Sequence, residues 1–133
     1  MEIPPLFNLT EKVALVSGAS RGIGAAIAQI LAEFGANVIL TSRRAENLKE
    51  VETSILKSGN HASSMVCHNG DLAQIESLFQ NIKKIHGRLD ILINNAATNP
   101  FYGSVLDADE AAWDKTLDVN LKGPYFMSQH AAK

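Results

Sequence analysis

Cysteine is almost missing from this chain: Cys67 is the only one in 133 residues. That excludes an internal disulfide framework and suits a reducing compartment, so a cytoplasmic protein is expected. Excess charge of either sign is missing too. Twelve Lys and Arg face fourteen Asp and Glu, a net charge of -2, and the only adjacent basic pairs are Arg43-Arg44 and Lys83-Lys84. Without a basic field, nucleic acid is not an expected partner. No apolar run approaches the ~20 residues of a membrane helix, so no membrane partner is expected either. The opening "MEIPPLFNLTEK" has an acid at position 2 and two prolines, unlike a secretory signal. No metal site is expected.

What is present is a soluble balance, 46% apolar and 20% charged, in a length that suits one core. From Lys12 the apolar pattern alternates. "KVALVSG" (12–18) and "NVILTS" (37–42) are short apolar runs bounded by turns, as buried parallel strands are. "HASSMVCH" (61–68) is a weaker strand, and "LDILINNAA" (89–97) is a fourth. Between them, residues 23–34 place Ile23, Ile27, Ile30, Leu31 and Phe34 at helical spacing before Gly35. Residues 45–59 form a helix closed by Gly59. Residues 72–87 form an amphipathic helix, with Ile75, Leu78, Phe79, Ile82 and Ile85 on one face and Gly87 as its stop. A last long helix begins near Asp109. The order βαβαβαβ predicts an α/β, doubly wound parallel sheet of the Rossmann type. Residues 1–11 are expected to be an extension and 12–133 a partial dinucleotide-binding domain.

"SGASRGIG" (17–24) falls between the first strand and the first helix. A dinucleotide site needs a tight turn there, then a helix whose free N–H groups face the pyrophosphate. Gly18 suits the turn, and Gly22 and Gly24 suit the helix start, where a Cβ would block the phosphates or the neighbouring strand. The spacing is G-x-x-x-G-x-G, and a purely structural turn remains the competing reading. At the end of the second strand, NAD sites carry an acid for the ribose 2′-hydroxyl. Here stand Ser42, Arg43 and Arg44, with the first acid at Glu46. Ser42 and Arg43, with Arg21 nearby, suit a 2′-phosphate. Arg44 reads better as a solvated edge. NADP(H) is therefore expected over NAD(H).

From Lys12 to Lys133 the chain resembles the N-terminal half of the short-chain dehydrogenase/reductase family. The family's T-G-x-x-x-G-x-G is matched by "SGASRGIG", with Ser17 in place of threonine. Its N-N-A-G is matched by "NNAA", Asn94 to Ala97, with Ala97 in place of glycine, and its helix asparagine by Asn120 in "LDVNLKGPYF". "NNAATNPFYGS" looks like the NADPH-dependent carbonyl and retinal reductase branch. The resemblance implies strand order 3-2-1-4 and cofactor contacts from Gly18, Ser20, Arg21, Gly22, Ile23, Gly24, Ser42 and Arg43. It adds Asp71, in "NGDLA", as the acid that bonds the adenine, with Leu72 beside it, and Asn95, Ala96 and Ala97 at the ribose. Asp71 also reads as the N-cap of the helix from Leu72, a role compatible with the adenine contact. Asn95 also suits bracing of strand packing, or Asn94-Asn95 a plain polar strand cap.

Pro124 has no N–H to offer the carbonyl of Asn120 four residues earlier. That leaves either a kinked helix or, as the family implies, a carbonyl that holds a water in a catalytic proton relay. The family's chemistry is hydride transfer to a carbonyl or from an alcohol, with a Y-x-x-x-K pair for the proton. Tyr102 and Tyr125 are followed four residues later by Leu106 and Gln129, so neither is that motif. In family members the motif follows the equivalent of Asn120, so the chain is expected to be inactive alone. The family also implies a homo-oligomer, with the last helix packed on another subunit. A noncatalytic NADP(H)-binding module or a subunit-interaction module remains the alternative.

Overall fold

β1, Val13–Ser17, is buried at every residue, because it has a strand on each side and helices over both faces. The computed structural model describes residues 4–133. β1 pairs in parallel with β2, Asn37–Ser42, and with β4, Ile91–Ile93, while β2 pairs with β3, His61–Val66. The strand order is β3-β2-β1-β4. Expectation and structure agree on this topology.

Alternation along β1 sorts the core into two layers. Ala14 and Val16, with Val38 and Leu40 of β2, face α1 (Gly22–Glu33) and α2 (Ala45–Lys57). Val13 and Leu15, with Ile39, face α3 (Leu72–His86) and Met127 of the last helix. Each fully buried Leu or Ile contributes roughly 1.5–3 kcal/mol.

Two helices pack differently from their apolar spacing. α1 buries Gly24, Ala28 and Ala32, with Ile27 and Leu31 only partly covered; Ile23 and Ile30 face outward. Small side chains let this helix sit close on β1. On α3, Ile75, Leu78 and Ile82 are buried, but Ile85 is exposed, one turn beyond the cover of the sheet. Strand β4 is also shorter than residues 89–97, because the chain turns out of the sheet at Asn94. The last helix is three pieces: α4 (Glu110–Leu117), a π-helical turn (Asp118–Lys122) and α5 (Gly123–Ala131). Phe7 and Leu9, in the described part of the extension, pack on the end of α1. Phe7 lies edge-on to Phe34, and Leu9 N–H donates to the Phe34 carbonyl at 2.8 Å.

Candidate functional site

The C-terminal ends of β1 and β4 are joined by side chains. Ser17 Oγ donates to the Ile93 carbonyl at 3.2 Å and accepts from the N–H groups of Asn95 and Ala96, both at 3.0 Å. Asn95 Nδ2 donates to the carbonyls of Ser17 and Gly18 at 3.0 and 3.2 Å. Above this clamp runs the glycine turn. Gly22 has φ +56° with open space where a Cβ would lie, so its backbone needs glycine and its outer face is free for a ligand. Gly24 is different: a Cβ there would collide with the Gly18 carbonyl and lie 2.6 Å from Asn95 Nδ2. Only Gly24 matches the expected conflict with the neighbouring chain. No side chain caps α1, so its first N–H groups are left for a ligand.

A cleft of about 370 Å³ lies over these strand ends. It gathers Gly18, Ser20, Arg21, Gly22, Ile23 and Gly24 from the turn, Ser42 and Arg43 from β2, and Asn95, Ala96 and Ala97 after β4. Its lining includes two arginines and no carboxylate. Among the described residues neither Arg21 nor Arg43 is in an ion pair. Ser42 is less free than expected, since its hydroxyl donates to the Arg44 carbonyl at 3.0 Å.

Asp71 and Leu72 do not line the cleft. Asp71 Oδ1 accepts from the N–H groups of Ala73 and Gln74 at 3.0 and 3.1 Å, and Oδ2 from Gln74 Nε2 at 2.9 Å. The Gln74 N–H, above all, holds this carboxyl below its usual pKa. Asp71 is the N-cap of α3, and Oδ2, with one partner, keeps capacity to accept a further hydrogen bond. The cap role is compatible with the adenine contact expected of Asp71 and Leu72, at the exit of β3 next to the cleft-lining Asn69. The cleft is lined instead by Cys67, His68 and Asn69, which sequence reasoning missed. Cys67 N–H donates to the Ser42 carbonyl at 2.9 Å, which sets the exit of β3 beside that of β2. Burial pushes the Cys67 thiol up to about 11, with Asp71 adding to the shift, so it is no nucleophile. Asn69 is only 5% exposed, and its Nδ2 has no partner.

Asn120 lies outside the cleft lining and acts on it through Thr98. Its Oδ1 accepts from Thr98 N–H at 2.7 Å and its Nδ2 donates to the Thr98 carbonyl at 2.8 Å. Thr98 itself lines the cleft. Around Asn120 the helix continues through Pro124 without a break between its turns. It widens into the π-helical turn, where Gly123 N–H donates five residues back to the Asp118 carbonyl. The residues fit a dinucleotide phosphate. A glycine cradle lies open, no side chain caps α1, and among the described residues Arg21 and Arg43 form no ion pair.

The known proteins point the same way. Residues 12–133 match the family model described as short chain dehydrogenase. Human dehydrogenase/reductase SDR family member 4 is 44% identical over 121 residues, 91% of this chain and 44% of that relative. The chain thus spans about half the length, or less, of the curated relatives it matches. A metagenomic short-chain oxidoreductase solved in complex with NADP is 42% identical, with TM-score 0.91, over 93% of this chain and 56% of the other. A short chain dehydrogenase from Burkholderia cenocepacia, also solved with NADP, is 38% identical with TM-score 0.88, over 94% of this chain and 51% of the other. On these matches, the chain belongs to the short-chain dehydrogenase family.

Proposed function

We propose that these residues are the cofactor-binding part of an NADP(H)-dependent oxidoreductase acting on a small carbonyl or alcohol substrate. Residues 12–133 form the dinucleotide-binding portion and 1–11 an extension. The observation that carries this is the cleft over β1, β2 and β4, with its glycine cradle, Arg21 and Arg43, and no carboxylate. The bound dinucleotide supplies the hydride, given or taken at nicotinamide C4. This chain's residues bind and orient it. The turn N–H groups hold the pyrophosphate, Arg21 and Arg43 hold the 2′-phosphate, and Ser17 with Asn95 fixes the floor. Asn120 keeps Thr98 in place beside the nicotinamide end. The exit of β3, with His68 and Asn69 beside Asp71 and Leu72, would hold the base.

Proton transfer is not assigned to this chain, because neither Tyr102 nor Tyr125 has a lysine four residues on. The active form on this reading is a homo-oligomer. The exposed Leu121 and Tyr125 on the last helix favour that over a free monomer.

Equilibrium titration with NADPH and NADH tests the reading. NADPH should bind more tightly, and Arg43→Asp should reverse the order. One charge-assisted pair is worth ~1.5–3 kcal/mol, or about 10–150-fold. Equal affinity of the unmodified protein for both would overturn the cofactor assignment.

A further inference from the structure

β3 is the outer strand of the sheet, at the edge opposite β4. It pairs with β2 without a bulge, from His61 opposite Asn37 to Val66 opposite Ser42, and Cys67 N–H continues the ladder to the Ser42 carbonyl. Peptide groups along a strand turn to its two sides alternately, so His61, Ser63 and Met65 turn theirs toward β2. Ala62, Ser64 and Val66 turn their N–H and C=O groups outward, where no strand meets them among the described residues. Edges of this kind are normally blunted by proline, lysine, a bulge or an inward charge. "HASSMV" carries none of these.

The same edge is the floor of a groove of about 480 Å³, with Leu56 of α2 on one wall and Ile85 and His86 of α3 on the other. Side chains alternate across the sheet, with Ala62 packed in the α2 layer and Met65 in the α3 layer. Val66 therefore stands on the α2 side, and Leu56, Val66 and Ile85 are all exposed. Leu56 and Ile85 border the His61 end of the strand, whereas Met65 and Val66 close the other. We propose that this edge is a contact between two copies of the chain, which join β3 to β3 in antiparallel into one continuous sheet. A two-fold axis through Ser64 sets Ser64 opposite the partner's Ser64 and Ala62 opposite the partner's Val66. Leu56 then meets the partner's Val66 on one face, and Ile85 lies toward the partner's Met65 on the other. Symmetry makes each contact twice, which a patch with apolar residues at both ends of the strand can satisfy. Glu52, which accepts from the Ser64 hydroxyl, stands beside the axis and faces its own copy there. This contact lies across the sheet from β4 and the last helix, and it does not rest on the cofactor reading.

The test reads the register in the full 133-residue chain. Ser64→Cys should give a disulfide-linked dimer on mild oxidation, since opposed residues of such a pair have Cα atoms about 5.5 Å apart, within disulfide reach. Val66→Cys should not link to itself, because four residues of offset put it roughly 13 Å from its own copy. Cys67 is buried and stays out of the reaction. Val66→Lys, a change at an exposed site, should shift sedimentation toward smaller species, and Glu52→Gln should shift it toward larger ones by removing a like-charge approach. Thermal midpoints check that each variant is folded. No linkage in a folded Ser64→Cys variant would overturn the proposal. Equal linkage at positions 64 and 66 would overturn it too, because random collision has no register. Should Ser64→Cys fail to fold, unchanged sedimentation of Val66→Lys overturns the proposal by itself.

Discussion

Ser17 and Asn95 hold each other across the sheet. The serine hydroxyl accepts from Asn95 N–H at 3.0 Å, and the asparagine amide donates to the Ser17 carbonyl at 3.0 Å. Ser17 is fully buried, so its hydroxyl has no water to replace a lost partner. Ser17→Ala strands the N–H of Ala96 and leaves that of Asn95 with the Ile93 carbonyl alone. Leaving such groups unsatisfied costs about 1–3 kcal/mol. Urea unfolding should show a loss in that range, with weaker NADPH binding because the floor of the cleft loosens. A variant as stable as the parent would mean that the clamp is not structural.

Gly22 and Gly24 should fail in opposite ways. At Gly24 a methyl group meets the Gly18 carbonyl and the Asn95 amide, neither of which yields easily. Gly24→Ala should lower stability by about 1–3 kcal/mol through overpacking. At Gly22 there is open space, but φ is +56°. Gly22→Val should cost about 1–2 kcal/mol of backbone strain and leave a folded protein that no longer binds NADPH. Thermal midpoints and NADPH titration of both variants separate these outcomes. Undiminished binding by Gly22→Val would remove the turn as the phosphate site.

The strand order and helix count were legible because apolar periodicity is local, and the α/β alternation leaves few topologies. Eleven of the positions expected at the cofactor meet in one cleft, since turn glycines and strand ends also carry local signals. Long-range choices were not legible. The Ser17 hydroxyl finds its partners 76 to 79 residues away, so its role is invisible beyond its place in the motif. Which face α1 buries depends on how closely it packs on β1, and alanines win there over larger isoleucines. Asp71 illustrates a different limit. An acid before a helix suits both a cap and a ligand, and its three hydrogen bonds show the cap, a role that leaves Oδ2 able to accept again. The signal for His68 and Asn69 was their place directly after the third strand, where chain ends face the crevice of such sheets.

Asp90 should make stability depend on pH at the edge far from the cleft. Hydrogen bonding from Arg88, then from Val13 N–H at 2.9 Å, lowers its carboxyl to about 2, with Lys12 also contributing. A folded-state pKa below the unfolded value means the ionised carboxylate adds stability above the unfolded pKa, about 4. That contribution fades as pH falls through about 2. Asp90→Asn keeps one acceptor for Val13 and removes the charge together with the second oxygen, which accepts from Arg88. Its urea midpoint should trail the parent at neutral pH, with the gap closing in acid and narrowing in high salt. A gap that is constant with pH would show that the charge of Asp90 contributes nothing.

The 133 residues expressed alone should associate and should not consume NADPH. β4 pairs with β1 on one side and with no strand on the other among the described residues. Its free edge exposes unpaired N–H and C=O groups, the usual template for intermolecular pairing. Beside it, the last helix turns Leu121 and Tyr125, each 64% exposed, toward solvent, and Leu106 stands out at 89%. Exposed apolar side chains of this kind favour self-association. Catalysis fails for a separate reason. Tyr102 and Tyr125 stand without a lysine four residues on, so the proton half of the reaction has no donor of the family's type. General acid–base help is worth about 10²–10⁴-fold, enough to take a slow reductase below detection. Sedimentation should therefore find dimers or larger species, and an assay with simple aldehydes and ketones should find no oxidation of NADPH. A monomer that turns over substrate would show that a different group in this chain donates the proton.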